Sequence, residues 1–300
     1  MSRHLGLDLG GFAIKSVVLD RDGDAYSSLT TSVVETRHEA PERIVAQLGE
    51  VARRLADDVG GVDTVGITIP GTFDLETGVA HFVTNLGGAE WNGVPVRDPV
   101  QKSLGLPLRL INDARAFGFA ESRLGAARDC DTAAFYTLGT GVGGAVVVGR
   151  RLQLGYGSAG ELGHTTVDAS PDAPLCGCGN RGCVEAHVQA SAIARAGRRS
   201  TAEAVVDAAR AGDAQAREAL AEAGRWLGVA IANMIIALNP ERVVVGGGVA
   251  EADDLILGPA RAEVHRRTRV PPFGRTEIVR AELGYETGSI GAALWGAEAA

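Results

Sequence analysis

Two stretches decide how this chain folds. They are HLGLDLGGFAIKSVVLD, His4 to Asp20, and TAAFYTLGTGVGGAVVV, Thr132 to Val148. Each reads as an apolar strand, a glycine turn and a second apolar strand. The repetition points to two related halves. Outward from the first, Asp22-Gly23 makes a turn and Ala25 to Thr31 a third strand. From Pro41 to Asp58 the apolar positions Ile44, Val45, Leu48, Val51, Ala52 and Leu55 have helical spacing, and Pro41 suits a first turn. Val62 to Ile69 reads as a buried strand ended by Pro70-Gly71. Leu108 to Ile111 reads as another, followed by Asn112-Asp113 and a helix to about Leu124. Strands alternating with helices predict an α/β sheet with helices on its faces.

A second unit starts near Asp113. Beyond Val148 the pattern predicts helices over Glu185–Ala196, Thr201–Ala211 and Asp213–Leu238, the last stopped by Asn239-Pro240. A strand over Arg242–Val245 runs into Gly246-Gly247-Gly248. A helix over Asp254–Arg267, a strand over Glu277–Ala281 and a Gly/Ala-rich helix from Ser289 complete the chain.

Composition narrows the function classes. The chain is 45% hydrophobic and 22% charged, which suits one large or two medium globular domains. Its formal net charge of -8, with no basic run, argues against a nucleic-acid partner. No membrane span and no signal peptide are expected. Three of the four cysteines are clustered in a metal-type pattern, which suits a reducing cytoplasm better than a disulfide framework. Cys130 reads as a core residue.

That cluster lies in HTTVDASPDAPLCGCGNRGC, His164 to Cys183. His164 is followed by Cys176, Cys178 and Cys183. Imidazole and thiolates are the usual ligands of tetrahedral zinc, and a closed set of four is structural. Glu161 precedes the knot and Glu185 follows it. Carboxylates held at fixed points suit a polar small-molecule site. They read equally as surface charges or as braces for the metal. His164 could serve metal and ligand at once, one ring nitrogen for each.

The glycine turns carry the remaining chemistry. Asp8-Leu9-Gly10-Gly11 could bring backbone to a phosphate and an acid to magnesium, or be a plain hairpin. Gly139-Thr140-Gly141 offers N–H groups and a hydroxyl to phosphate oxygens, without a P-loop lysine. Gly246-Gly247-Gly248 allows close approach of a flat ligand such as adenine, or a tight strand-to-helix turn. At the end of a strand, Asp113 could be a general base for phosphoryl transfer. Asn112-Asp113 could equally be a helix cap.

Together these motifs resemble the ROK family of bacterial sugar kinases and sugar-responsive repressors, from Leu5 to Gly296. GELGH (Gly160–His164) with CGCGNRGCVE (Cys176–Glu185) is similar to the family's zinc signature. LGTGVGG (Leu138–Gly144) is similar to its second phosphate motif, and INDARAFGFAE (Ile111–Glu121) to the segment with the catalytic aspartate. IPG (Ile69–Gly71) and TNLGGAEW (Thr84–Trp91) look like its sugar-side loops. The resemblance implies a ribonuclease-H-like, two-domain actin-like ATPase fold around a cleft. Residues 1–112 plus a terminal helix over 289–300 would form the small α/β domain, and 113–288 the large one. It implies Asp113 as base, and Gly71, Thr84, Asn112, Asp113, Glu161, His164 and Glu185 around the sugar. It implies Asp8, Gly10, Gly11, Thr140, Gly141, Gly246 and Gly247 along ATP and magnesium, and structural zinc on His164, Cys176, Cys178 and Cys183. A homodimer or homotetramer is implied too.

One position departs from the family. Its first phosphate motif usually reads Asp-x-Gly-Gly-Thr, and here Phe12 stands at the threonine with Ala13 behind it. A phenyl ring donates no hydrogen bond to phosphate. Lys15 fits a variant with lysine three positions on. The expectation is a cytoplasmic ATP-dependent kinase of a hexose primary hydroxyl, glucose first. Fructose, mannose, allose, N-acetylmannosamine or a cyclitol are the alternative acceptors. A sugar-binding protein with weak or no kinase activity is the reading Phe12 favours. A repressor needs a helix-turn-helix element ahead of the first phosphate motif, and Asp8 is seven residues after the start.

Overall fold

A computed structural model describes residues 2–38, 40–269 and 275–298. The chain divides into two compact units. One comprises Met1–Ala120, Gly155–Ser158 and Leu283–Ala300; the other comprises Glu121–Leu154 and Ala159–Glu282.

The first unit is built on strands β1 (Ser2–Leu9), β2 (Ala13–Asp22), β3 (Ala25–Glu35), β4 (Thr64–Ile69) and, after the small hairpin β5 (Gly71–Phe73) and β6 (Ala80–Val83), β7 (Leu108–Asn112). The sheet order is β3-β2-β1-β4-β7. β1, β2 and β3 are antiparallel, and β1, β4 and β7 are parallel. Side chains alternate across β1 with the strand period. Leu5, Leu7 and Leu9 share one apolar cluster with Ile44, Val45 and Leu48 of helix α1 (Pro41–Asp58). Helix α2 (Arg97–Leu104) adds Val100 to that cluster.

The opposite face receives the terminal helix, and glycines make this possible. Gly6 of β1 and Gly66 of β4 stand where any Cβ would overlap the backbone of Ser289 and Ala292. These lie in the helix Thr287–Ala297, labelled α9 below. Gly291 of the same helix lies as tightly against Ala116 of α3 (Asp113–Arg123). Trp295 packs edge-on against Phe119, with centroids 5.4 Å apart, and donates its indole N–H to Leu110 O at 3.0 Å. Gly66→Ala is therefore expected to destabilise this unit by about 3 kcal/mol, an overpacking cost. Urea unfolding measures it; an unchanged midpoint would mean that α9 does not dock on β4.

The second unit repeats the plan. β8 (Ala133–Leu138), β9 (Val142–Val148), β10 (Arg151–Leu152), β11 (Arg242–Gly246) and β12 (Glu277–Arg280) pair in the order β10-β9-β8-β11-β12. Again three strands are antiparallel and the last two run parallel to the first. Its helices are α4 (Val184–Val188), α5 (Ala190–Ala196), α6 (Ala202–Arg210), α7 (Ala214–Leu238) and α8 (Asp254–Arg267). Thr201 caps α6 by accepting the Ala204 N–H, and Asp213 caps α7 by accepting the Ala216 N–H. Asn239, at φ 48°, ends α7 in a left-handed cap.

The structure differs from the sequence expectations at four places. The division between units falls after Ala120, not at Asn112/Asp113, because the first turns of α3 are packed under α9. The terminal element starts at Leu283 in the first unit's share of the chain, ahead of the expected 289. The helix expected over Glu185–Ala196 is broken at Gln189, whose extended backbone lets the Ala190 N–H reach Gly139 O at 2.8 Å. Gly143 and Gly144 belong to β9 instead of the glycine turn. A Cβ on Gly144 would lie 2.6 Å from Leu162, so the strand is glycine-rich for close packing.

Among the described residues, α7 is the one helix long and apolar enough to span a membrane. Its Leu220, Leu227, Ile231 and Ile235 are buried in the second unit's core.

Candidate active site and metal centre

In the first unit, β7 delivers Asn112 and Asp113 at its C-terminal end. Asn112 is 7% exposed. Its Oδ1 accepts the N–H groups of Ala114 (3.0 Å) and Arg115 (3.2 Å), and its Nδ2 donates to Gly71 O at 3.2 Å. Asn112 is thus the residue that satisfies the start of α3. Asp113 is exposed, and its Oδ1 accepts the Ala114 N–H at 2.9 Å. The two readings of the pair fall on different residues: cap on Asn112, exposed acid on Asp113.

Gly71 has φ +146°, and a Cβ there would overlap Phe82 O, so only glycine fits. The Thr84 N–H donates to Pro70 O at 2.7 Å. The loop beyond it is held by the buried Trp91, which donates to Leu86 O at 2.6 Å. Gly71, Thr84, Asn112 and Asp113 therefore gather where β4 and β7 end.

The first glycine turn borders this group. A Cβ on Gly11 would meet Asn85, next to Thr84, at 3.3 Å. The Gly10 N–H donates to Ala13 O, and the Thr36 hydroxyl to Gly10 O. Asp8 Oδ1 accepts the Thr68 hydroxyl at 2.6 Å, and Thr68 Oγ1 accepts the Leu9 N–H. A Cβ on Gly288, in the first turn of α9, would lie 2.6 Å from Asp8 Oδ2, so the helix N-terminus faces this carboxylate. Phe12 is 88% exposed. Lys15 pairs with Asp8 across the β1–β2 ladder, and its ammonium sits 3.8 Å from the Tyr285 ring centroid. Neither Thr68 nor Tyr285 was singled out from the sequence. A threonine set between isoleucines in the buried strand TVGITI was the one available signal for Thr68. Nothing local marks Tyr285.

In the second unit, β8 and β9 are joined by Gly139-Thr140-Gly141, closed by the Gly139 N–H to Gly141 O at 2.9 Å. Gly246 pairs with Thr137, and Gly247 at φ +86° lies against Leu138. The two glycine turns of this unit are therefore adjacent, at the end of β8. Glu161 precedes and His164 ends a short 3-10 turn whose Gly163 packs directly on Val142 O.

His164, Cys176, Cys178 and Cys183 place one ligand atom each within 4.8 Å of all the others. His164 Nδ1 lies 3.6 Å from Cys176 Sγ, and Cys178 Sγ lies 3.7 Å from Cys183 Sγ. Bonds of about 2.0–2.3 Å to a tetrahedral zinc put ligands at such separations, so the set fits the ion. Nδ1 faces the sulfurs, which leaves Nε2 as the ring nitrogen for a ligand. The Asn180 N–H holds the Cys178 thiol below its ordinary pKa, while burial raises Cys176 and Cys183. Zinc must displace protons from the last two. Glu185 sends Oε1 to within 3.3 Å of Cys176 Sγ, and its Oε2 accepts the Val142 N–H at 2.9 Å.

The ROK family model matches residues 4–299. This chain belongs to the ROK family. A glucokinase of Thermotoga maritima is 35% identical, over 96% of this chain and 95% of the relative. Among solved structures, a ROK hexokinase from Thermus thermophilus superposes with a TM-score of 0.84 at 33% identity, covering 99% and 98% of the two chains. A ROK glucokinase from Streptomyces griseus, in complex with glucose and AMPPNP, gives 0.82 at 30% identity, covering 99% and 100%. The fold of this ROK chain is accordingly the two-domain actin-like ATPase fold, and its two five-stranded sheets of one order and sense are the repeated element of it.

Proposed function

We propose that this ROK protein is an ATP-dependent sugar kinase that phosphorylates a primary hydroxyl of a hexose, glucose foremost. The observation that carries the reading is the division of labour at Asn112-Asp113. A buried amide caps the helix, and an exposed carboxylate is presented beside Gly71 and Thr84. The sugar kinases among its relatives support the same reading.

In this reading Asp113 accepts the proton of the attacking hydroxyl as that oxygen bonds to the γ-phosphorus. The bond from phosphorus to the bridging oxygen breaks, ADP leaves, and the proton passes from Asp113 to solvent. Gly71, Thr84 and Asn112 are sugar-binding residues in this reading, as are Glu161, His164 through Nε2, and Glu185. Thr140, Gly141, Gly246 and Gly247 bind the nucleotide. Asp8, Gly10 and Gly11 serve the phosphates and magnesium, which when bound neutralises charge developing on the phosphoryl oxygens. The carboxylate of Asp8, beside a glycine turn and accepting the Thr68 hydroxyl, is the donor type magnesium takes. His164, Cys176, Cys178 and Cys183 would hold a zinc ion, which would brace the neighbouring Glu161 and Glu185 and supply no step of the transfer. Assembly as a homodimer or homotetramer belongs to the same proposal.

The exposed phenyl ring of Phe12 favours a second reading, a sugar-binding protein with little phosphoryl transfer. A coupled assay over a panel of sugars, with ATP and polyphosphate as donors, separates the two. ADP formation dependent on glucose or another hexose is expected. Sugar binding by calorimetry without turnover on any donor would leave only the second reading.

A further inference from the structure

We infer that Glu185 is a positioning residue that ties the metal knot to the second glycine loop, so that zinc occupancy sets nucleotide affinity. This rests on the reading of Leu138–Gly144 as a nucleotide loop. Glu185 follows the zinc-type ligand Cys183 by two residues, on the first turn of α4. Its side chain is only 16% exposed. One oxygen approaches the sulfur of Cys176, and the other accepts the N–H of Val142, where the loop re-enters β9. The loop backbone is wrapped closely on this carboxylate: a Cβ on Gly141 would lie 2.5 Å from Oε2.

The other end of the loop is held by the first residue of α5. Immediately past α4, the Ala190 N–H donates to Gly139 O at 2.8 Å. A third contact comes from the other flank of the knot, where Gly163, next to His164, packs on Val142 O. Gly139 to Val142 is thus pinned at both ends by chain segments that begin at metal ligands. Glycine-rich backbone has large conformational freedom to lose on binding a phosphate. Ordering it beforehand removes that cost from the binding step. Of these three contacts, the one from Glu185 is made by a side chain. Its reach to the loop explains a carboxylate at this position in terms additional to sugar contact.

The test uses the full zinc-loaded chain, with Glu185→Ala and Glu185→Gln. AMPPNP affinity is measured by calorimetry without sugar, and hydrogen exchange is followed in the peptide covering 138–144. Glu185→Ala is expected to weaken AMPPNP about tenfold, or ~1.4 kcal/mol, and to speed exchange at the loop. Glu185→Gln keeps an oxygen acceptor for Val142 and should stay within about threefold of wild type on the same scale. Chelating zinc from the wild-type chain, which needs no substitution, should speed loop exchange in the same way. Wild-type binding of AMPPNP with unchanged affinity and exchange in Glu185→Ala, and only glucose affinity reduced, overturns the inference and leaves the kinase reading intact. Unchanged loop exchange after chelation also overturns it. A wild-type chain that binds no AMPPNP overturns the nucleotide reading, and the inference falls with it.

Discussion

Replacing Asp113 by asparagine is expected to lower kcat about 10²–10⁴-fold, the usual contribution of a positioned base, with sugar affinity nearly unchanged. The substitution isolates chemistry because of what surrounds it. The start of α3 is satisfied by the Asn112 amide, so the helix does not depend on the charge at Asp113. The Oδ1 of Asp113 that accepts the Ala114 N–H has an equivalent amide oxygen in asparagine. The variant loses the proton affinity of the carboxylate and keeps this acceptor. Steady-state kinetics in the coupled assay, with calorimetry for the sugar, measures both parts. Turnover within about threefold of wild type, far inside that range, would place the base elsewhere. A parallel loss of sugar affinity and thermal stability would make Asp113 structural.

The second large effect is expected at the metal. Cys178→Ala should lower bound zinc from near one equivalent per chain to near none, and lower the melting temperature of the second unit by roughly 10 °C. That corresponds to ~3–5 kcal/mol at the usual scaling for a unit of this size. The reason is the poverty of apolar packing around the knot. Its own buried cluster consists of Cys176, Cys183 and Ala186. The loop before it is held mainly by backbone hydrogen bonds, such as Cys176 N–H to Asn180 O and Gly182 N–H to Pro174 O. Leu175, between them, is exposed. Three thiols and one imidazole converge there with little hydrophobic gain, so an ion has to supply the cohesion. Metal analysis of fresh protein, with calorimetric melting before and after chelation, reads the effect. Full zinc content in the variant, or melting insensitive to chelation, would remove the metal from the stability of this unit.

The elements legible in the sequence are those whose cause is local. Helix α1 runs from Pro41 to Asp58, where its apolar spacing and its proline place it. The strands around Gly10-Gly11 and Gly139-Gly141 follow from apolar runs broken by glycine, and the metal residues from their chemistry and spacing. What stayed hidden depends on distant partners. The cap falls on Asn112 and not Asp113 because Gly71 O, from another strand, receives the Asn112 amide. Gly144 is strand and not turn because Leu162 presses against it. The helix break at Gln189 exists to satisfy Gly139. The unit boundary lies inside α3 because Gly291, far along the chain, closes on Ala116. The hairpin β5–β6 and helix α2 were missed because their segments are short and weakly periodic.

The close seating of α9 on Gly6 and Gly66 has a consequence for synthesis. The first unit's sheet is made early, yet the helix that covers its second face is made only after the whole second unit. At typical translation rates of about 5–20 residues per second, roughly 8 to 30 s separate Ala120 from Leu283. During that interval the second unit is a continuous stretch apart from Gly155–Ser158, and can condense by itself. The nascent sheet meanwhile shows an open face lined by Gly6 and Gly66. The second unit can therefore fold before the first is whole, and α9 closes the sheet that β1 began.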